Sequence, residues 1–194
     1  MKFANIIFLL CLYSCQTNND IVLEHIISDE NVFIKTYKNF KKDSVILDLP
    51  LEFKIINNSS EEIDNSNILI THNGNSMYYL DDFIIYDKNQ YDENQKDNIL
   101  SDQKKIKKTD QLQIIIRENY IHISKIEAYK ILKKYNIDQN SLKQGKDIKI
   151  VSFKKFIKEN LKIMNKVRQS NDSILLSTFN KGKLIAINRK KINW

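Results

Sequence analysis

Glycine is close to absent from this chain: Gly74, Gly145 and Gly182 are the only three, and each stands alone. A phosphate cradle needs clustered glycines, so neither a P-loop nor a dinucleotide fingerprint is present. The Gly-x-Ser-x-Gly elbow of a serine hydrolase is missing as well. Cysteine is confined to Cys11 and Cys15, so nothing beyond residue 15 can form an internal disulfide or act as a thiol nucleophile. The histidines are His25, His72 and His122, with none at metal-ligand spacing to another. No metal or other cofactor is expected on that pattern. His72 beside Asn73-Gly74 reads as a turn residue, and His122 between Ile121 and Ile123 as a strand residue on the polar face.

What is there suits a folded domain. Hydrophobic residues make up 42%, enough for a packed core. The 23 asparagines, with many Lys and Ile, fit an AT-rich codon bias, and asparagine serves turns in place of glycine. Charge is unevenly spread. Residues 16–120 hold 12 Lys/Arg against 19 Asp/Glu, whereas residues 121–194 hold 18 against 5. The basic third either meets an anionic partner or is attracted to the acidic part of its own fold.

The pattern from 21 to 120 is strand-like. Val32-Phe33-Ile34 and Val45-Ile46-Leu47 are strand clusters, and Leu51, Phe53 and Ile55 alternate at period two. Asn57-Asn58-Ser59-Ser60 reads as a turn, and Asn73-Gly74 as a hairpin between Ile68-Leu69-Ile70 and Met77-Tyr78-Tyr79-Leu80. Phe83 to Tyr86 and Leu112 to Ile116 are further strands, and 87–110 reads as an exposed loop. In the last third, Ser124 and Glu127 form a capping box ahead of a helix carrying Ala128, Ile131, Leu132 and Tyr135, with Asn136 as its stop. Ile148 to Val151 is a strand. Ser152 caps a second helix that buries Phe153, Phe156, Ile157, Met164 and Val167. Lys154, Lys158, Lys162 and Lys166 line its opposite face as a surface for an anionic partner. A hairpin around Asn180-Lys181-Gly182 closes the chain, and Trp194 ends it in or beside the sheet. The fold expected is α+β: an antiparallel, sandwich-like β-rich part over 21–120, then a basic part over 121–194 with two helices and a closing β-hairpin. No Pro/Gly/Ser-rich linker divides them, so 21–194 reads as one domain.

At the other end, Met1-Lys2 is followed by an apolar run from Phe3 to Tyr13, interrupted by Asn5, then Ser14 and Cys15. Leu12-Tyr13-Ser14-Cys15 resembles the lipobox of bacterial prolipoproteins, with Tyr13 bulkier than the family's usual residue. The run is shorter than the roughly 20 residues a membrane-spanning helix needs. The resemblance implies that 1–14 are a signal peptide, that Cys15 carries lipid, and that 15–20 tether the domain to a membrane. Gln16 in place of Asp favours an outer membrane where the cell has two. The partners expected are the membrane itself and an acidic envelope protein or anionic headgroups. Nucleic acid is not expected of an exported chain.

Two other constellations are weak. Asp81, Asp82, Asp87, Asp92, Glu93, Asp97 and Asp102 cluster, but from Asp92 the run lacks the central glycine of a calcium loop, and Gln103 stands where its final Glu belongs. Tyr78, Tyr79 and Tyr86 read as core before they read as a binding platform. With no catalytic constellation legible, the expected function is a non-enzymatic, membrane-anchored binding or structural protein of the envelope. The alternatives are an envelope hydrolase, which needs a histidine close to a carboxylate in a concave pocket, and an immunity-type lipoprotein.

Overall fold

Three four-stranded antiparallel sheets carry the chain, in a computed structural model that describes residues 20–36, 43–77, 82–93, 104–118, 120–143 and 147–194. Residues 1–19, with Cys11 and Cys15, lie outside the described residues, as do Tyr78, Tyr79, Asp81, Asp97, Asp102 and Gly145. The first sheet has the order β1 (Ile21–Ile26), β4 (Pro50–Asn57), β8 (Gln111–Glu118), β7 (Phe83–Asp87). The second runs β10 (Ile148–Ser152), β2 (Asn31–Lys35), β3 (Ser44–Asp48), β9 (His122–Ser124). The third runs β12 (Lys183–Lys191), β11 (Ser173–Asn180), β5 (Asn65–His72), β6 (Asn75–Met77). Helices α1 (Lys125–Lys134), α2 (Phe153–Glu159) and α3 (Leu161–Arg168) complete an α+β fold. One hydrophobic cluster runs through all three sheets and all three helices, with Phe53, Leu47, Ile174, Leu132, Phe156 and Met164 among its members.

Local sequence explains most of these elements. The β5–β6 turn consists of Asn73 and Gly74 alone, both at positive φ (50° and 81°), which matches the twist a two-residue hairpin requires. Lys181 and Gly182 repeat the device between β11 and β12. The capping box forms as expected: Glu127 N donates to Ser124 Oγ, and Ser124 N donates to the Glu127 carboxylate. Asn136 takes φ 56° just past the end of α1.

Several expectations are corrected along the chain. The second helix breaks at Asn160, which sits at φ −123°, ψ 45°. Its side-chain amide donates to Phe156 O and to Tyr135 Oη, so local and tertiary bonds both compete with helix continuation. The region 87–110 is not wholly an exposed loop: Ile106 is 2% exposed and bridges to Ile63. Tyr86, read first as core, is buried with its ring edge-on to Tyr91.

A buried polar knot ties the first two sheets. Arg117 donates to Tyr91 Oη (2.7 Å), to Asn31 O (2.7 Å) and to Asp48 Oδ1 (3.5 Å), while Lys35 pairs with Asp48 at 2.5 Å. Asn57, read as a turn residue, is a fully buried hub whose amide donates to Glu61 O and Lys107 O.

Candidate functional site

A cleft of about 410 Å³ opens where the β5–β6 turn, the approach to β9, the first turn of α1 and the end of α3 converge. His72 and Asn73 form one side. Tyr120 and His122 form another, with Ile121 and Ile123, and Ile163, Lys166, Val167, Gln169 and Ser170 close it. The break at Asn160 matters here, since it frees α3 to turn its own face to the cleft.

Beneath the cleft lies Asp172, 1% exposed. Its Oδ2 accepts from Ser170 Oγ (2.5 Å) and Trp194 Nε1 (2.8 Å), and its Oδ1 accepts from the Asn73 backbone (3.3 Å). His72 Nδ1 lies 3.0 Å from the same Oδ1, yet its direction misses the oxygen, so the contact is a close approach and not an aligned hydrogen bond. The Tyr120 ring tilts over His72 with centroids 4.3 Å apart, and His122 follows at 6.4 Å from Tyr120. A tyrosine thus stands between two imidazoles separated by fifty positions in the chain.

The electrostatics are uneven. Glu118, at the end of β8, is fully buried and neither carboxylate oxygen has a partner among the described residues. Burial, reinforced by the charges of Asp172 and Asp48, pushes its carboxyl up to about 8. It therefore carries its proton at neutral pH. At the cleft mouth Lys166 Nζ meets Glu127 Oε1 at 2.5 Å, and that bond is the main reason the Glu127 carboxyl is held below its ordinary value.

The other sequence candidates fall elsewhere. His25 is on β1, stacked on Phe53 with centroids 5.0 Å apart; burial, then the charge of Lys190, lowers its pKa. Lys154, Lys158, Lys162 and Lys166 are all exposed, but the break at Asn160 divides them between α2 and α3. Lys154 lies 3.7 Å from Asp29 and Lys166 is held by Glu127, so the four do not make one continuous helix face. In the acidic stretch, Asp87 is bonded to Lys104, and Glu93 to Asn31 and Lys149. No group of three or more metal-ligating side chains is arranged for a metal among the described residues. Cys15 is outside them.

Asp172, Ser170, Tyr120 and Glu118 carried no sequence signal. Asp172 meets His72 across one hundred positions, and only the pairing of β11 with β5 creates that proximity. No family model, no curated protein and no solved structure matches the chain.

Proposed function

We propose that this chain is a lipoprotein held at a membrane through Cys15, and that its folded part is a non-enzymatic binding module whose ligand sits in the His72–Tyr120–His122 cleft. The observation that carries the binding reading is the cleft itself, a concave site where the apolar side chains of Tyr120, Ile121, Ile123, Ile163 and Val167 are mixed with convergent polar ones, the two imidazoles among them. The Asp172 carboxylate, held by the Ser170 hydroxyl, the Trp194 indole and the Asn73 backbone, is fixed beside His72, so the cleft is organised before a ligand arrives. The anchor reading rests on Leu12-Tyr13-Ser14-Cys15. Histidine-resolved NMR tests the cleft during a small-molecule screen. Binders are expected to move His72 and His122 together and leave His25 still. Binders that move His25, or none of the three, contradict the reading.

One observation favours a second reading, acid–base chemistry: His72 lies 3.0 Å from a buried carboxylate in a concave site. There His72 would take a proton from a cleft water, with Asp172 steadying the imidazolium. Ester turnover lost in His72→Ala and kept in His25→Ala would support it. Equal turnover in both variants would remove it.

A further inference from the structure

The third sheet has one face in the core and one face outside the core cluster, most exposed along β12. Ile68, Ile70, Ile174, Leu176 and Thr178 point inward and are buried. The alternate residues form rows across β5, β11 and β12: Asn67–Ser177–Ile187, Leu69–Leu175–Arg189 and Thr71–Ser173–Lys191. Past the β11 bulge, Phe179 pairs with Leu184. Five apolar side chains therefore share this face, none of them within the core cluster, and Ile187 is 59% and Leu184 46% exposed. Two exposed cations, Arg189 and Lys191, sit in the same rows. The rows contain no acidic side chain. Asp172, one residue before Ser173, is buried and held by Ser170 and Trp194, and at the hairpin tip Glu61 and Asp64 are engaged by Asn180 and the Lys181 backbone. From Ser173 to Trp194 the chain has five Lys/Arg and no Asp or Glu.

We infer that this face lies against an anionic lipid bilayer. The inference rests on the proposed anchor at Cys15. Six residue steps separate Cys15 from Ile21, a reach of about 20 Å at most when fully extended. Strand β1 begins there and runs beside β12, and the charge of Lys190 is felt at His25. The short tether thus enters the domain next to the strand that carries Leu184, Ile187, Arg189 and Lys191. Apolar side chains interleaved with cations, and free of acids, are complementary to a headgroup layer over hydrocarbon. The lipid keeps the domain near the membrane, and this face sets its orientation.

The test uses the lipidated chain reconstituted into phosphatidylcholine vesicles with and without anionic phosphatidylglycerol. An environment-sensitive fluorophore is attached at Ile187→Cys, or at Lys158→Cys on α2 as a control; with Cys15 acylated, the introduced thiol is the free one. The Ile187→Cys probe is expected to shift to the blue in anionic vesicles and to be quenched by a lipid-borne quencher, while the Lys158→Cys probe stays aqueous. Adding Arg189→Gln and Lys191→Gln is expected to weaken this docking about thirtyfold and return the probe to its aqueous emission. A probe at 187 that stays aqueous, or behaves like the one at 158, overturns the inference. So does a probe shielded only by an added protein and not by lipid. Intact mass reads the anchor separately. Lipid present with an aqueous 187 probe defeats the surface alone, and lipid absent with the probe entering anionic vesicles defeats the anchor alone.

Discussion

Replacing Glu118 with glutamine should favour the variant over the wild type by more at pH 8 than at pH 5. The carboxyl titrates at about 8 in the fold, against an ordinary value of 4.5, because it is buried without a partner near Asp172 and Asp48. A carboxyl whose folded pKa is raised contributes its full stability below the unfolded value. It loses that contribution as pH rises toward the folded value, because the unfolded chain releases the proton first. At about 1.4 kcal/mol per tenfold change, the wild type loses about 3 kcal/mol between pH 5 and pH 8 through this one group. Glutamine has nearly the same shape and does not titrate, so the variant escapes that loss. Any cost of burying its amide falls equally at both pH values and cancels in the comparison. Urea denaturation of both proteins at the two pH values gives the answer, and the gain at pH 8 corresponds to roughly 10 °C in Tm. A stability difference between variant and wild type that is the same at pH 5 and pH 8 would refute the reasoning, since it would place Glu118 in contact with solvent or with a cation.

Other substitutions probe the cleft and the framework. Asp172→Ala strands Trp194 Nε1 and the Asn73 N–H without an acceptor, so a loss of about 3 kcal/mol or more is expected. Trp194 is the one tryptophan, and its emission should move to the red as the indole loses its buried partner. Ile106→Ala should cost about 2–4 kcal/mol by equilibrium denaturation, as for a core isoleucine, where a surface-loop position would cost almost nothing. Ser124→Ala removes the cap of α1 and should cost about 1 kcal/mol, with Ser124→Asp restoring most of it.

Where a structural signal is local, the residues announce it. The Asn73-Gly74 turn, the Ser124/Glu127 box and the Asn136 stop depend on neighbours within a few positions, and each forms where the sequence places it. The helix across Phe153 to Val167 was legible as a buried face, and its break was not, because Asn160 is held by Tyr135 from twenty-five residues away. Ile106 hides within a charged stretch, and a lone isoleucine among lysines carries no periodicity to mark it as core. The cleft lies furthest from sequence reach. His72 and His122 were readable only as a turn residue and a strand residue; in the fold His72 is the last residue of β5 and His122 the first of β9. Their convergence on Tyr120 depends on how the third sheet meets the second, and the carboxylate beneath them comes from the loop before β11. The four-lysine stripe shows the reverse error: regular spacing suggested one face, and a single interrupted turn divided it.

The anchor at Cys15 is the claim on which the membrane reading rests. Palmitate labelling with intact mass of the membrane fraction, comparing wild type with Cys15→Ala, tests it most directly. The expected result is a wild-type chain that begins at Cys15 and carries lipid, and a Cys15→Ala chain that carries none. A wild-type chain without lipid, or label that persists in Cys15→Ala, would contradict it.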